Sequence, residues 1–198
     1  MAITSPMPAR TVKGNVKAQD KILYVANKLG LTSLKYMQGT TRVVYDQDVD
    51  ATTNTATLFE GAQQRPFPIS NVGATGNQFQ VNECLLVEKI GFFQATADDG
   101  ANYGSATDIG VKFDLIIGNK TVMKDVCIEA HGQQAFYVDG SAQSHVLDLE
   151  GVGILIPPQV EYKIVAKTYN TTTRAAVNGR IGMYLFGTGV LLDFNTSI

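Results

Sequence analysis

The chain has 198 residues, a formal net charge of −2, 44% apolar and only 17% charged residues, 19 glycines and no tryptophan. A chain of this length and apolar content can bury a core without metals or disulfides, so neither need be invoked to hold the fold. No apolar run approaches the roughly 18–20 residues that a helix needs to cross a bilayer, which excludes a helical membrane span.

Average soluble domains carry about 25% charged residues. A sparsely charged surface rich in Thr, Asn and Gln suits a structural domain packed against copies or neighbours better than an enzyme. The segment Met1–Pro8 has neither a basic nor an apolar leader region, so no secretory signal is read and synthesis in the cytoplasm is expected.

Residues 1–42 stand apart electrostatically. Arg10, Lys13, Lys17, Lys21, Lys28, Lys35 and Arg42 face only Asp20, a local charge of +6, so the remaining residues carry −8. No nucleic-acid motif, arginine cluster or interleaved aromatic accompanies the charge, which favours protein over DNA as the partner of this arm. Within it Ala18, Ile22, Val25, Ala26 and Leu29 recur at helical spacing, predicting a helix over Lys17–Leu29 that Gly30 ends. A helix of that length is marginal alone in water, so it must lie on its own sandwich or on an adjacent subunit. The subunit-interface expectation assigns Ile22, Val25 and Leu29 to the buried stripe, with Lys13 and Lys35 contributing to the encounter.

Residues 1–56 are thus read as a basic arm with one short helix, and 57–198 as the body. Arg42–Tyr45 reads as a short strand. Asp46, Asp48 and Asp50 alternate after it but lack the glycine and closing glutamate of a calcium loop, so solvated turn acids are expected. Leu58-Phe59 enters the body, and Phe67-Pro68-Ile69 reads as a short edge segment because proline cannot donate to a central ladder. Cys84–Phe93 is the clearest core strand of the first half. Ala95–Ile109 is the largest loop, and Asp98-Asp99-Gly100 within it could offer oxygen ligands to a hard cation. Val111–Ile117, the turn Gly118-Asn119 and Thr121–Met123 predict a hairpin.

Short apolar runs follow at Val126–Ile128, Ala135–Val138, His145–Leu149 and Gly153–Ile156. In Val160–Tyr169, Glu161, Lys163 and Lys167 share one face while Tyr162, Ile164, Ala166 and Thr168 take the other, as in a half-wet strand. Ile181, Met183 and Leu185 alternate with Gly182, Tyr184 and Phe186, so both faces are mostly apolar and a central position is expected. These last two strands form either a long hairpin or a connection across a sandwich. About eight to ten strands with one amphipathic helix predict an all-β sandwich with Greek-key or jelly-roll wiring.

Cys84 and Cys127 are the only cysteines, and buried thiols are favoured over a bridge. Cys127, Glu129 and His131 give one suggestive spacing, but no motif announces an orienting third group or an oxyanion pocket. His131 and His145 are too few for a zinc site without carboxylate help. Glu60, Glu83, Glu88 and Glu150 make a glycosidase pair only if the fold brings two together. No catalytic residue, metal or cofactor is therefore assigned.

The runs Phe67–Asn71, Asn77–Ile90, Ile117–Lys124 and Ile156–Tyr162 together resemble the body of small β-sandwich virion proteins of tailed bacteriophages, including those of crAss-like phages. The resemblance spans approximately residues 56–192 in its strands and turns. It implies an auxiliary or decoration protein located in the virion, bound to other virion proteins and to copies of itself, with the N-terminal arm against the shell. A carbohydrate-binding sandwich is the alternative, with Tyr103, Tyr137 and Tyr169 as available rings.

Overall fold

A computed structural model describes residues 18–31, 37–48, 55–61, 67, 69–72, 77–95, 103–104, 111–127, 133–134, 145–149, 153–168 and 180–192. Among these residues lie one helix, α1 (Ala18–Leu29), and eleven strands. The strands are β1 (Gln38–Gln47), β2 (Thr55–Leu58), β3 (Glu83–Ala95), β4 (Tyr103–Gly104), β5 (Val111–Ile117) and β6 (Lys120–Cys127) in the first part. They continue with β7 (Gln133–Gln134), β8 (His145–Asp148), β9 (Ile154–Ile156), β10 (Tyr162–Thr168) and β11 (Arg180–Leu191).

The strand order follows from one long antiparallel hairpin rolled onto itself. Its tip is the turn Gly118-Asn119 between β5 and β6, where Gly118 supplies the positive φ of 57° that a tight hairpin turn needs. Moving back from the tip, β8 and β9 pair with β3, β10 pairs with β2, and β11 pairs with β1. Rolling the hairpin adds two cross-pairings, β11 to β3 and β10 to β5. One sheet thereby runs β1-β11-β3-β8-β7, with β4 and β9 also on β3, and the other runs β2-β10-β5-β6. First strand beside last and second beside second-last, split between two layers, is the jelly-roll pattern. The last two long strands, β10 and β11, consequently belong to different sheets and connect across the sandwich.

The core fills the space between the layers. Val44, Leu85, Val87, Ile90, Phe92, Ile156, Ile181, Met183 and Leu185 come from the seven-stranded sheet, and they meet Ala56, Leu58, Phe113, Leu115, Tyr162, Ile164 and Ala166 from the other. Period-2 alternation accounts for these lists, and the buried positions of β10 and β11 are those their sequences predict. β3 breaks the period once. Phe186 pairs with Lys89 but Gly187 with Val87, so Glu88 is an extra, bulged residue. The bulge lets Leu85 and Val87 before it, and Ile90 and Phe92 after it, all point inward.

Two expectations need correction. Residues 1–56 are not separate from the body: β1 is a ten-residue strand laid along β11, and the boundary between residues 56 and 57 falls inside β2. Phe67 and Ile69 lie in turns rather than in an edge strand, with Phe67 81% exposed. The edge of β1 is instead dressed by Asn71. Its carboxamide imitates a strand peptide, accepting from the Tyr45 N–H at 2.8 Å and donating to the Val43 carbonyl at 2.8 Å.

Candidate functional site

The helix is the sequence's main candidate for contact with a neighbour, and its stripe is already occupied. Val25 and Ala26 are fully buried. Val25 packs with Cys84, Leu86 and Val190 on the outer face of the seven-stranded sheet, with Tyr24 and Leu29 beside them. Ile22 lies over Gly39, where a Cβ would come within 3.2 Å of its side chain. The Lys21 ammonium meets Glu88 at 2.7 Å, and the Thr188 hydroxyl donates to the same carboxylate at 2.9 Å. A Schellman ending closes the helix: Leu31 N–H donates to the Ala26 carbonyl at 2.8 Å and Gly30, at φ 69°, to that of Asn27 at 3.3 Å. The assignment of Ile22, Val25 and Leu29 to a neighbouring subunit is therefore corrected. Their partner is the chain's own sheet, because the apolar outer face of β3 and β11 needs the cover as much as the helix does. Lys13 and Lys35 lie outside the described residues.

A cleft of about 110 Å³ opens at one end of the sandwich, lined by Arg42, Val72, Gln78, Phe79, Gln80, Glu83 and Tyr162. Arg42 organises it. Its guanidinium donates to Glu83 at 2.9 Å and lies 4.8 Å from the centre of the Phe79 ring. Phe79 in turn stacks on Tyr162, with 5.4 Å between centroids and 13° between planes. Burial, opposed by Arg42 and reinforced by Asp46, pushes the Tyr162 hydroxyl well above the ordinary phenol range, so it stays neutral. Ligand sites for drug-sized molecules run to about 300–1,000 Å³, and the one cation here already faces a carboxylate. The cleft has the chemistry of an end plug for the core.

Asp46 and Asp48 are buried, not solvated as expected: Asp46 Oδ2 accepts the Phe59 N–H at 2.7 Å and the Asp48 N–H donates to the Ile181 carbonyl at 2.8 Å. They close strand ends. Cys84 and Cys127 are free thiols on different sheets. Glu83 and Glu88 are held by Arg42 and Lys21 rather than facing each other. Among the described residues no group of three His, Cys, Asp or Glu is placed to hold a metal ion. Asp50, Asp98, Asp99, Glu129, His131, Tyr137, Glu150 and Tyr169 lie outside the described residues, as do the side chains of Tyr103 and His145.

Two surfaces read in the sequence as faces of single strands gain partners from neighbouring strands. The first is an aromatic stripe on the outer face of the seven-stranded sheet, beside α1. Tyr45 and Tyr184 lie 6.0 Å apart between centroids, and Tyr184 and Phe186 5.4 Å apart. Gly91 makes room for them, since a Cβ there would stand 2.9 Å from the Phe186 ring. The signal was the second apolar face of β11. The second surface is the outer face of the four-stranded sheet, where Lys163 and Lys167 of β10 project to solvent beside Lys112 of β5.

No protein-family model matches the chain, and a search of curated proteins returns no match.

Proposed function

We propose that the chain is a structural subunit of a bacteriophage virion, acting as an auxiliary or decoration protein bound to neighbouring capsid subunits. The carrying observation is the jelly-roll strand order, a wiring used by viral capsid and lectin domains. It is joined by the sparse surface charge and by the strand-and-turn resemblance to tailed-phage virion proteins. The test is particle composition: mass spectrometry of purified virions should find the chain at a fixed ratio to the shell protein. Its absence from intact particles made in producing cells rejects the role.

A carbohydrate-binding module is the second reading, favoured by the Tyr45–Tyr184–Phe186 stripe, because sugars stack on part-exposed rings. Glycan-array binding that disappears in Tyr184→Ala, with the fold retained, supports this reading over the first.

A further inference from the structure

Four strands end the two sheets among the described residues, β1 and β7 in one and β2 and β6 in the other. A sheet edge presents N–H and C=O groups that another chain can pair with, so natural edges are short, bulged or charged. β7 has two residues and β2 four. β6 has eight, but two register shifts against β5 interrupt its ladder, Asp125 has a φ of 50°, and Lys120 and Lys124 are exposed on it. β1 has none of these devices over its first half. It pairs with β11 through ten residues without a register shift, and Gln38, Gly39, Thr40 and Thr41 include neither charge nor proline. Gln38, Thr40 and Thr41 are exposed.

The second half of the same edge shows which backbone groups face outward. Tyr45 donates its N–H to the Asn71 carboxamide at 2.8 Å, and its carbonyl accepts from the Asn71 N–H at 3.3 Å and the Ser70 hydroxyl at 3.1 Å. The Val43 carbonyl accepts from the same carboxamide at 2.8 Å. Alternate residues of an antiparallel strand turn their backbone groups to the same side, so Thr41 and Gly39 follow Val43 and Tyr45 and aim N–H and C=O away from β11. Asn71 thus fills the edge beside Val43 and Tyr45. Among the described residues no strand pairs with the edge at Gln38, Gly39, Thr40 and Thr41, and residues 38–42 form the window for one.

We infer that this edge of β1 pairs antiparallel with the same edge of a second copy about a two-fold axis at Thr40, joining the two seven-stranded sheets into one. The window fixes that register. Centring the axis on Thr41 would bring Gly39 of the second copy into the place that Asn71 holds beside Val43, whereas centring it on Thr40 uses all of residues 38–42. Gly39 then exchanges both backbone hydrogen bonds with Thr41 of the second copy, and the symmetry doubles these to about four. Thr40 meets its own copy, a threonine pair that sheets favour, and Arg42, held by Glu83, faces the neutral Gln38 of the second copy. On the outer face Ile22 covers Gly39, so the Thr41 methyl of the second copy gains an apolar neighbour. An unrelated extended peptide fits less well, because its specificity comes from side-chain pockets beside the edge, and the exposed Gln38, Thr40 and Thr41 offer none. A contact of this length is far smaller than the roughly 1,200–2,000 Å² of a stable interface, so the association is weak and reversible. The inference does not rest on the virion reading, because it concerns the purified chain alone.

Sedimentation equilibrium of the full chain and amide hydrogen exchange test it. The wild type should dimerise with a dissociation constant of about 0.1–1 mM, little changed by salt up to about 0.5 M, since no ion pair crosses the contact. Protection of the Thr41 amide should rise with concentration, while that of Tyr45, already bonded to Asn71, should not. Thr40→Lys and Thr40→Glu each oppose like charges across the axis and should each weaken dimerisation at least about tenfold. Mixing the two variants should restore it, because unlike charges then meet. Thr41→Pro should also weaken it and leave the urea midpoint near that of the wild type, since the Thr41 N–H takes no part in the ladder with β11. If proline disturbs β1, the Thr40 variants still decide. A wild type that stays monomeric at about 1 mM overturns the inference, as does a Thr41 amide protected to the same degree at every concentration. Folded Thr40 variants that dimerise like the wild type, or whose mixture stays monomeric, also overturn it.

Discussion

Asp46 and Phe59 hold each other where the chain leaves β2: the Asp46 carboxylate accepts the Phe59 N–H at 2.7 Å, and Phe59 has φ of 60°. A bulky residue in the left-handed region is an outlier that surrounding contacts must enforce. The ring supplies one constraint, buried 5.4 Å from Tyr162, and the carboxylate supplies the other. A hydrogen bond to a charged group contributes about 1.5–3 kcal/mol. Asp46→Ala should therefore lower unfolding stability by about 2–3 kcal/mol in a urea titration. A loss under about 0.5 kcal/mol would mean that ring packing alone holds Phe59.

The helix should be anchored by its apolar side and not by its ion pair. Fully burying a valine side chain contributes about 1.5–3 kcal/mol, whereas part-exposed pairs contribute about 0–1 kcal/mol. The side chains of Lys21 and Glu88 are 24% and 31% exposed. Val25→Asp should release α1, seen as fast amide exchange over Ala18–Leu29, while Lys21→Ala should change stability by less than about 1 kcal/mol. The opposite ranking would make the ion pair the anchor.

Two glycines should differ sharply when changed to alanine. A Cβ on Gly187 would run into the Leu86 carbonyl oxygen, which is backbone of the neighbouring strand and cannot turn aside. A Cβ on Gly91 would meet the Phe186 and Tyr184 rings at 2.9 and 3.1 Å, and part-exposed rings can rotate. Gly187→Ala should cost about 3 kcal/mol or more, and Gly91→Ala about 1 kcal/mol. Equal losses in thermal or denaturant unfolding would contradict this account.

Burial pushes the Cys84 thiol from 9.0 up to about 11. Below about pH 9 the thiol is neutral in both folded and unfolded chains and has no effect on the pH dependence. Between pH 9.0 and about 11 the unfolded thiol loses its proton while the folded one keeps it, so stability falls with rising pH across that window. Cys84→Ala should show a shallower decline there. At pH 8 the half-buried Cys127 should react with a thiol reagent ahead of Cys84, and the reverse order would place Cys84 in solvent.

Sequence reading recovers the parts whose period is unambiguous. The helix is placed to within one residue because Gly30 fixes its end, and the inward faces of β10 and β11 follow from strict alternation. The hairpin at Gly118-Asn119 is equally legible. β1 reads as four residues where ten pair, because Gln38, Gly39, Thr40 and Thr41 carry no apolar signal and owe their extension to the ladder with β11. The helix's choice of its own sheet is undecidable from sequence, since an apolar stripe does not say which apolar surface it meets. The cleft and the lysine face arise from residues far apart in the chain, Arg42 with Tyr162 and Lys112 with Lys167, and only strand register brings them together.

The bulge at Glu88 divides β3, at 13 residues the longest strand, into two halves that are out of phase with each other. Losing one residue from either half would turn inward-facing aliphatics to solvent and bring charge into the core. Losing Glu88 itself would not, because Val87 and Lys89 would then alternate regularly between Leu86 and Ile90. The cost would be the Lys21 contact and the Thr188 hydrogen bond. The centre of the sandwich therefore contains a position where the loss of one residue stays in frame, and sequence drift among descendants of this chain can delete there without rebuilding the core.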